Sequence, residues 1–170
     1  MDRWVINASP LICLAKAGYA DLLLKLPGEA VIPQAVVDEI QAGHAGDPAR
    51  QVLARGEFPI ADVSALPEIL AWDLGKGETE VLSYALAHPG CTIIIDDRAA
   101  RKCALSFSIP FKGTLAVVIL AKKRGLINSA AEAMQALQTA GLRLEDDVIR
   151  TALQQSADED WEIYIGGNVE

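Results

Sequence analysis

Two adjacent carboxylates, Asp96 and Asp97, directly follow the apolar run Cys91 to Ile95. At the end of a buried segment they would repel each other unless a cation or basic neighbour compensates, and Mg2+ or Mn2+ commonly partners such oxygens. An aspartate there can equally cap the helix that follows, so a metal site and a helix cap are both open. Asn7 follows the first apolar run, and in a parallel sheet it would reach the same edge as the two aspartates. Glu39 and Glu78 sit on predicted helices from which both can point across that edge, although a lone helical glutamate is ordinarily solvated. Thr114, in Lys112-Gly113-Thr114, can cap a helix or hold a metal-bound water, and capping is the simpler role. His44 and His88 are the only histidines and both lie in turn-like surroundings, which argues against a histidine zinc site or a Ser/His/Asp triad. Gly75-Lys76-Gly77-Glu78 lacks the spacing of a phosphate-binding loop and reads as a helix entry.

These residues need elements to hold them. Trp4 to Ile6 is a short apolar strand, and Ser9 with Pro10 marks a helix start, serine capping and proline in the first helical position. Gly18 interrupts that helix, Asp21 to Leu26 continues it, and Pro27-Gly28 turns into a strand at Ala30 to Ile32. Pro33 opens a helix to about Ala42, Gly43 to Pro48 is an exposed loop, Ala49 to Arg55 is a short helix, and Phe58 to Val63 is a strand. Leu66 to Gly77 carries no clear pattern, whereas Val81, Leu82, Ala85 and Leu86 give Glu78 to Ala87 a helical apolar face. Cys91 to Ile95 is an unbroken, mostly β-branched run, the signature of a central strand buried on both faces. Ala99 to Ser106 is helical, Ile109 to Phe111 a short strand, Gly113 to Lys123 an apolar helix ending in cations and Gly125, and Ser129 caps a helix to about Ala140.

Strands alternating with helices imply an α/β fold with three layers, α/β/α, around a parallel sheet of about five strands. Sites in such sheets form beyond the carboxyl ends of the strands. The domain is expected over residues 1–153, and the polar, acidic residues 154–170 form a tail, a mobile or partner-dependent arm.

The chain has 170 residues, 51% of them hydrophobic, enough for one core without disulfide staples. Cys13, Cys91 and Cys103 are odd in number and far apart, and read as reduced thiols of a cytoplasmic protein. No signal-peptide pattern and no run of about 18 to 20 apolar residues is present, so no membrane association is expected. A net charge of -8 argues against a whole-surface nucleic-acid binder. The charge is unevenly spread, however. From Arg98 to Ala131 there are seven basic residues (Arg98, Arg101, Lys102, Lys112, Lys122, Lys123, Arg124) and no acidic one. The same pattern also fits helices that simply expose lysine and arginine.

The ordered segments VINASPLI (Val5 to Ile12), VIPQAVVDEI (Val31 to Ile40), LGKGETEVLSYA (Leu74 to Ala85), IIIDDRAARKCA (Ile93 to Ala104) and KGTLAVVILAKKRG (Lys112 to Gly125) resemble the PIN-domain superfamily, in particular its VapC-like and uncharacterised prokaryotic branch. The resemblance covers roughly residues 4–153. It implies a Mg2+- or Mn2+-dependent ribonuclease, with RNA as substrate, a small antitoxin protein as partner and a homodimeric state. Carried over by position, Asn7 falls where the family usually has its first aspartate, Glu39 matches the second acid, Glu78 the third, and Asp97 with Asp96 the acid at the strand end. Ser9, Arg98, Arg101, Lys112 and Thr114 are then the substrate-binding candidates. Two departures stand out: Asn7 is neutral where a carboxylate is usual, and the Gly113-Thr114 segment carries no acid. The alternative they favour is a catalytically weakened PIN fold that binds RNA or protein. A third reading, an unrelated doubly wound domain for a phosphorylated small molecule, lacks the expected glycine-rich loop after the first strand.

Overall fold

The computed structural model describes residues 2–156. β1 (Arg3–Ile6) runs into α1 (Ala8–Ala17), and the short α2 (Leu22–Lys25) precedes β2 (Glu29–Pro33). α3 (Gln34–Ala42) and α4 (Pro48–Ala54) lead to β3 (Ile60–Ala61), and α5 (Pro67–Leu70) and α6 (Lys76–Ala87) lead back to β4 (Cys91–Ile94). After α7 (Arg98–Ser106) and β5 (Phe111–Lys112) come α8 (Thr114–Lys123), α9 (Ala130–Thr139) and α10 (Asp146–Ser156).

The five strands form one all-parallel sheet in the order β3-β2-β1-β4-β5, flanked by helices, as expected. Trp4, Val5 and Ile6 are each 0% exposed although successive strand residues face opposite sides, so both faces of β1 are covered. The strand order reverses between β1 and β4. Ile6 stands opposite Ile94, and the Asn7 amide donates to the Ile94 carbonyl at 3.0 Å, so the two strands end side by side. That junction is the switch point at which open α/β sheets place their ligands. Among the described residues no helix is long and apolar enough to cross a membrane.

Several element boundaries differ from expectation, each for a local reason. α1 begins at Ala8 with Asn7 in the cap position, so Ser9 and Pro10 lie inside the first turn rather than at cap and first position. Proline is tolerated there because the first four helical amides have no intrahelical acceptor. Pro33 ends β2 and precedes α3, which starts at Gln34. The strands expected at Phe58 to Val63 and Ile109 to Phe111 shrink to Ile60–Ala61 and shift to Phe111–Lys112, both at edges of the sheet where only one side offers a partner. The unassigned stretch from Leu66 to Gly77 holds the single turn α5. α10 was not anticipated, and it runs past residue 153 to Ser156; the remainder of the expected tail lies outside the described residues.

α6 carries the fold's most consequential packing. It lies on β1, β2 and β4 and against α3, so Gly77 and Thr79 to Ser83 are buried along with its apolar face. Glu80 is among them, only 7% exposed, and its Oε1 accepts a hydrogen bond of 3.1 Å from the Ala35 amide in the first turn of α3. This carboxylate therefore caps a neighbouring helix that has no side-chain cap of its own, and sets where α3 stands relative to α6. Glu80→Leu leaves the Ala35 amide buried without an acceptor, and is expected to lower stability by about 1–3 kcal/mol in urea denaturation, while Glu80→Gln, which keeps an acceptor, loses less.

Candidate active site

Asn7 leaves β1 at the switch point and is 2% exposed. Its Nδ2 donates to Glu78 Oε1 at 3.4 Å, and its Oδ1 is buried with no hydrogen-bond partner. A buried acceptor left unmade is costly, and an Asn in the cap position would ordinarily turn its oxygen to the helix amides. Here it makes no cap bond and faces the carboxylates instead.

Glu39 and Asn7 meet over Gly77, and Glu78, whose carboxylate lies against Gly75, joins them through Asn7. A Cβ on Gly77 would stand 2.9 Å from Glu39 Oε2 and 3.5 Å from Asn7 Oδ1, so a larger residue there would push the Glu39 carboxyl aside. Burial first, and the charge of Glu78 second, hold the Glu39 carboxyl above the usual glutamate range. Asn7 thus stands between two carboxylates, Glu39 across Gly77 and Glu78 on its own amide nitrogen, and oxygen donors of this kind are those a hard cation such as Mg2+ or Mn2+ prefers. Among the described residues no three acidic, histidine or cysteine side chains form a ready-made cage. A cation here would use Asn7, Glu39 and Glu78 with water completing its shell, a pattern Mg2+ tolerates because it keeps several waters.

Asp96 and Asp97 are held differently: the expected cap of the helix that follows is made by Asp97, whereas Asp96 serves a later helix. Asp97 Oδ2 accepts from the Ala100 amide at 2.8 Å and caps α7. Asp96 caps α8 from across the sheet edge: Oδ1 accepts from the Thr114 amide at 2.9 Å and Oδ2 from the Thr114 hydroxyl at 2.6 Å. Arg101 stands 3.7 Å from Asp96 Oδ1, donates to the Ile95 carbonyl at 3.0 Å and lies 5.3 Å above the Phe111 ring. Gly113 makes this possible, since a Cβ there would collide with the Arg101 guanidinium and come within 2.9 Å of Asp96 Oδ1.

Asn7, Ser9, Glu78, Asp96, Asp97 and Arg98 line one open cavity of about 480 Å3 at the carboxyl edge. Glu39 is not in its lining and approaches from the α3 side of Gly77. Of the other substrate-binding candidates, Arg101 is tied to Asp96, Thr114 is fully buried under it, and Lys112 is a half-buried residue of β5. The far end of the basic stretch does not join the site: Arg124 donates to the Leu26 carbonyl, just ahead of β2 at the amino edge, and Lys122 donates to the Asn128 carbonyl. Conversely, Cys13, Leu142 and Arg143 line the cavity without having been singled out. Cys13 faces it through the helical spacing from Ser9, whereas nothing in the sequence marks the loop before α10 as a cavity wall. Burial first and Asp96 second push the Cys13 thiol up, which favours its protonated form.

A sequence profile described as a PIN domain matches residues 3–158. The chain belongs to this PIN-domain family. No curated protein matches it. The PIN domain is a nuclease-type fold whose members are generally metal-dependent and act on nucleic acid. The acid-lined switch point is thus the candidate active site of a PIN domain.

Two measurements check this construction. In Gly77→Ala the new Cβ displaces the mobile Glu39 carboxyl rather than backbone, and alanine is the better helix former by up to about 1 kcal/mol. Thermal stability should therefore hold or rise while calorimetric Mn2+ affinity falls about tenfold or more; unchanged affinity would refute the role given to Gly77. The raised Glu39 carboxyl makes a stabilising contribution that is complete below its ordinary value of 4.5 and is lost as pH climbs through the raised one. Metal-free wild type should accordingly lose stability relative to Glu39→Gln as pH rises above 4.5, measured by thermal melts in EDTA.

Proposed function

We propose that this PIN domain is a Mg2+- or Mn2+-dependent endoribonuclease. The observation that carries this reading is the buried, unpartnered Asn7 Oδ1 beside Glu39 and Glu78 at the switch point of the sheet. These three residues would hold the cation. When bound, it supplies positive charge to a phosphodiester and lowers the pKa of an adjacent water.

The chain's own residues do the positioning. Asn7 Nδ2 holds Glu78 in orientation. Asp96 and Asp97 keep carboxylates at the cavity wall, bound to Thr114, Arg101 and the first turn of α7. In this reading they accept the proton leaving the attacking water. Because among the described residues no protein nucleophile lines the cavity other than the protonated Cys13 thiol and Ser9, direct attack by water is the simplest chemistry.

Action as the toxin of a toxin–antitoxin pair extends this reading, with a small antitoxin protein covering the cavity; a short adjacent gene for a DNA-binding protein would support it. A homodimer has its candidate face on α8, where Leu115, Ile119 and Leu120 are half-buried while Val117, Val118 and Ala121 lie in the core. The neutral Asn7 favours one competing reading, an RNA-binding module with weakened catalysis.

Labelled RNA incubated with purified protein separates these. Cleavage should require Mn2+ or Mg2+, stop in EDTA, and fall about 100-fold or more in Glu78→Gln. Asn7→Asp should tighten metal binding. Wild type that binds RNA but cuts with neither metal leaves the binding-module reading in its place.

A further inference from the structure

Several arginines of this chain are spent on internal contacts. Arg3 pairs with Glu29, Arg101 with Asp96, and Arg124 with the Leu26 carbonyl. Arg98 and Arg143 are exposed and make no hydrogen bond or ion pair among the described residues. Yet both line the acidic cavity, Arg98 from the first turn of α7 and Arg143 from the loop between α9 and α10. Among the described residues they are its only cationic lining residues, and they share it with Glu78, Asp96 and Asp97.

Had these arginines served to neutralise the cavity's acids, they would pair with them, as Arg101 does with Asp96. Asp97 precedes Arg98 in the chain, yet its Oδ2 goes to the Ala100 amide instead. Two guanidinium groups with unspent donors, at a cavity whose own charge is net negative, suit an external anion. Guanidinium forks match phosphate oxygens two at a time.

We propose that Arg98 and Arg143 form the phosphate-binding pair of this cavity and hold successive backbone phosphates of a single-stranded RNA across the acidic floor. The proposal rests on the ribonuclease reading for the identity of the strand, not for the presence of the pair. It accounts for a polyanion entering an acid-lined cavity in a chain of net charge -8, without the rest of the basic stretch. Arg143 thereby gives the loop before α10 a role in substrate binding.

The test is fluorescence anisotropy of a labelled oligouridine in EDTA, so that binding is read without cleavage, over a salt series. The variants are Arg98→Gln, Arg143→Gln, the double variant, and Lys123→Gln at the far end of α8, with thermal melts to check folding. Each single arginine variant should weaken binding several-fold and reduce the slope of log affinity against log salt by about 0.7, the double by about 1.4. Lys123→Gln should change neither. A double variant with wild-type affinity and slope overturns the proposal, as does wild type with no arginine-dependent binding. Arginine-dependent binding without cleavage in Mn2+ or Mg2+ overturns the ribonuclease reading and leaves the phosphate pair standing. Cleavage that the double variant performs as well as wild type does the reverse.

Discussion

Because β1 and β4 pair in parallel with Ile6 opposite Ile94, the chain leaves both strands at the same height and in the same direction. α1 and α7 then depart from neighbouring points of one edge, and Asn7 and Asp96 are left flanking the gap between them. No other pair of strands in the sheet produces this, since β1–β2 and β4–β5 are joined through crossovers that continue in one direction. The pairing is robust because both strands are buried on both faces, and Trp4, Ile6, Ile93 and Ile94 are each 0% exposed. A fully buried aliphatic or aromatic side chain is stabilising by roughly 1.5–3 kcal/mol, so the location of the site is fixed by the same residues that make the core.

The like charges of Glu39 and Glu78 are brought together by that core and not by any attraction of their own. α3 packs on α6, and Val36 and Ile40 of the one and Val81 and Leu82 of the other are fully or nearly fully buried. Four such side chains are stabilising by roughly 6–12 kcal/mol. Repulsion between two carboxylates, even at about 4 Å and the effective dielectric of a protein surface, costs only about 4 kcal/mol. Packing wins, and Glu80, tied to the Ala35 amide, fixes the relative placement of the helices. The fold can thus hold an electrostatically unfavourable pair of carboxylates in place.

The sequence reveals this frame unevenly. β1, β2 and β4 are legible because strands covered on both faces must be continuously apolar, as Val5 and Ile93 illustrate. β3 and β5 are less legible because an edge strand of two residues leaves little pattern. α10 escapes notice because its buried positions, Ile149 and Leu153, make a stripe only two residues long amid polar neighbours. Asp96 and Asp97 could be located but not assigned. Adjacent residues at a strand end point in different directions, so one caps α8 and the other α7, and only the fold reveals which. The approach of Glu39 to Asn7 over Gly77, with Glu78 on the Asn7 amide, depends on how α3 packs on α6, a long-range fact that local periodicity does not carry. The family resemblance supplied those residues where spacing alone left them as ordinary solvated glutamates.

Asn7 is the departure from the family's usual acid, and its neighbours give it a physical role. An aspartate at this position would face Glu78 at the distance where Asn7 Nδ2 now donates a hydrogen bond, and would add a third negative charge beside Glu39. The amide instead orients Glu78 with one end and presents a buried, unpartnered oxygen with the other. Less charge means weaker attraction for a cation. It also means less repulsion to overcome in its absence, so the donor oxygens can be held near their working positions before anything binds. On the proposed reading, where the usual acid would gather a cation by charge, Asn7 would offer geometry already set by the packing of α3, α6 and β1.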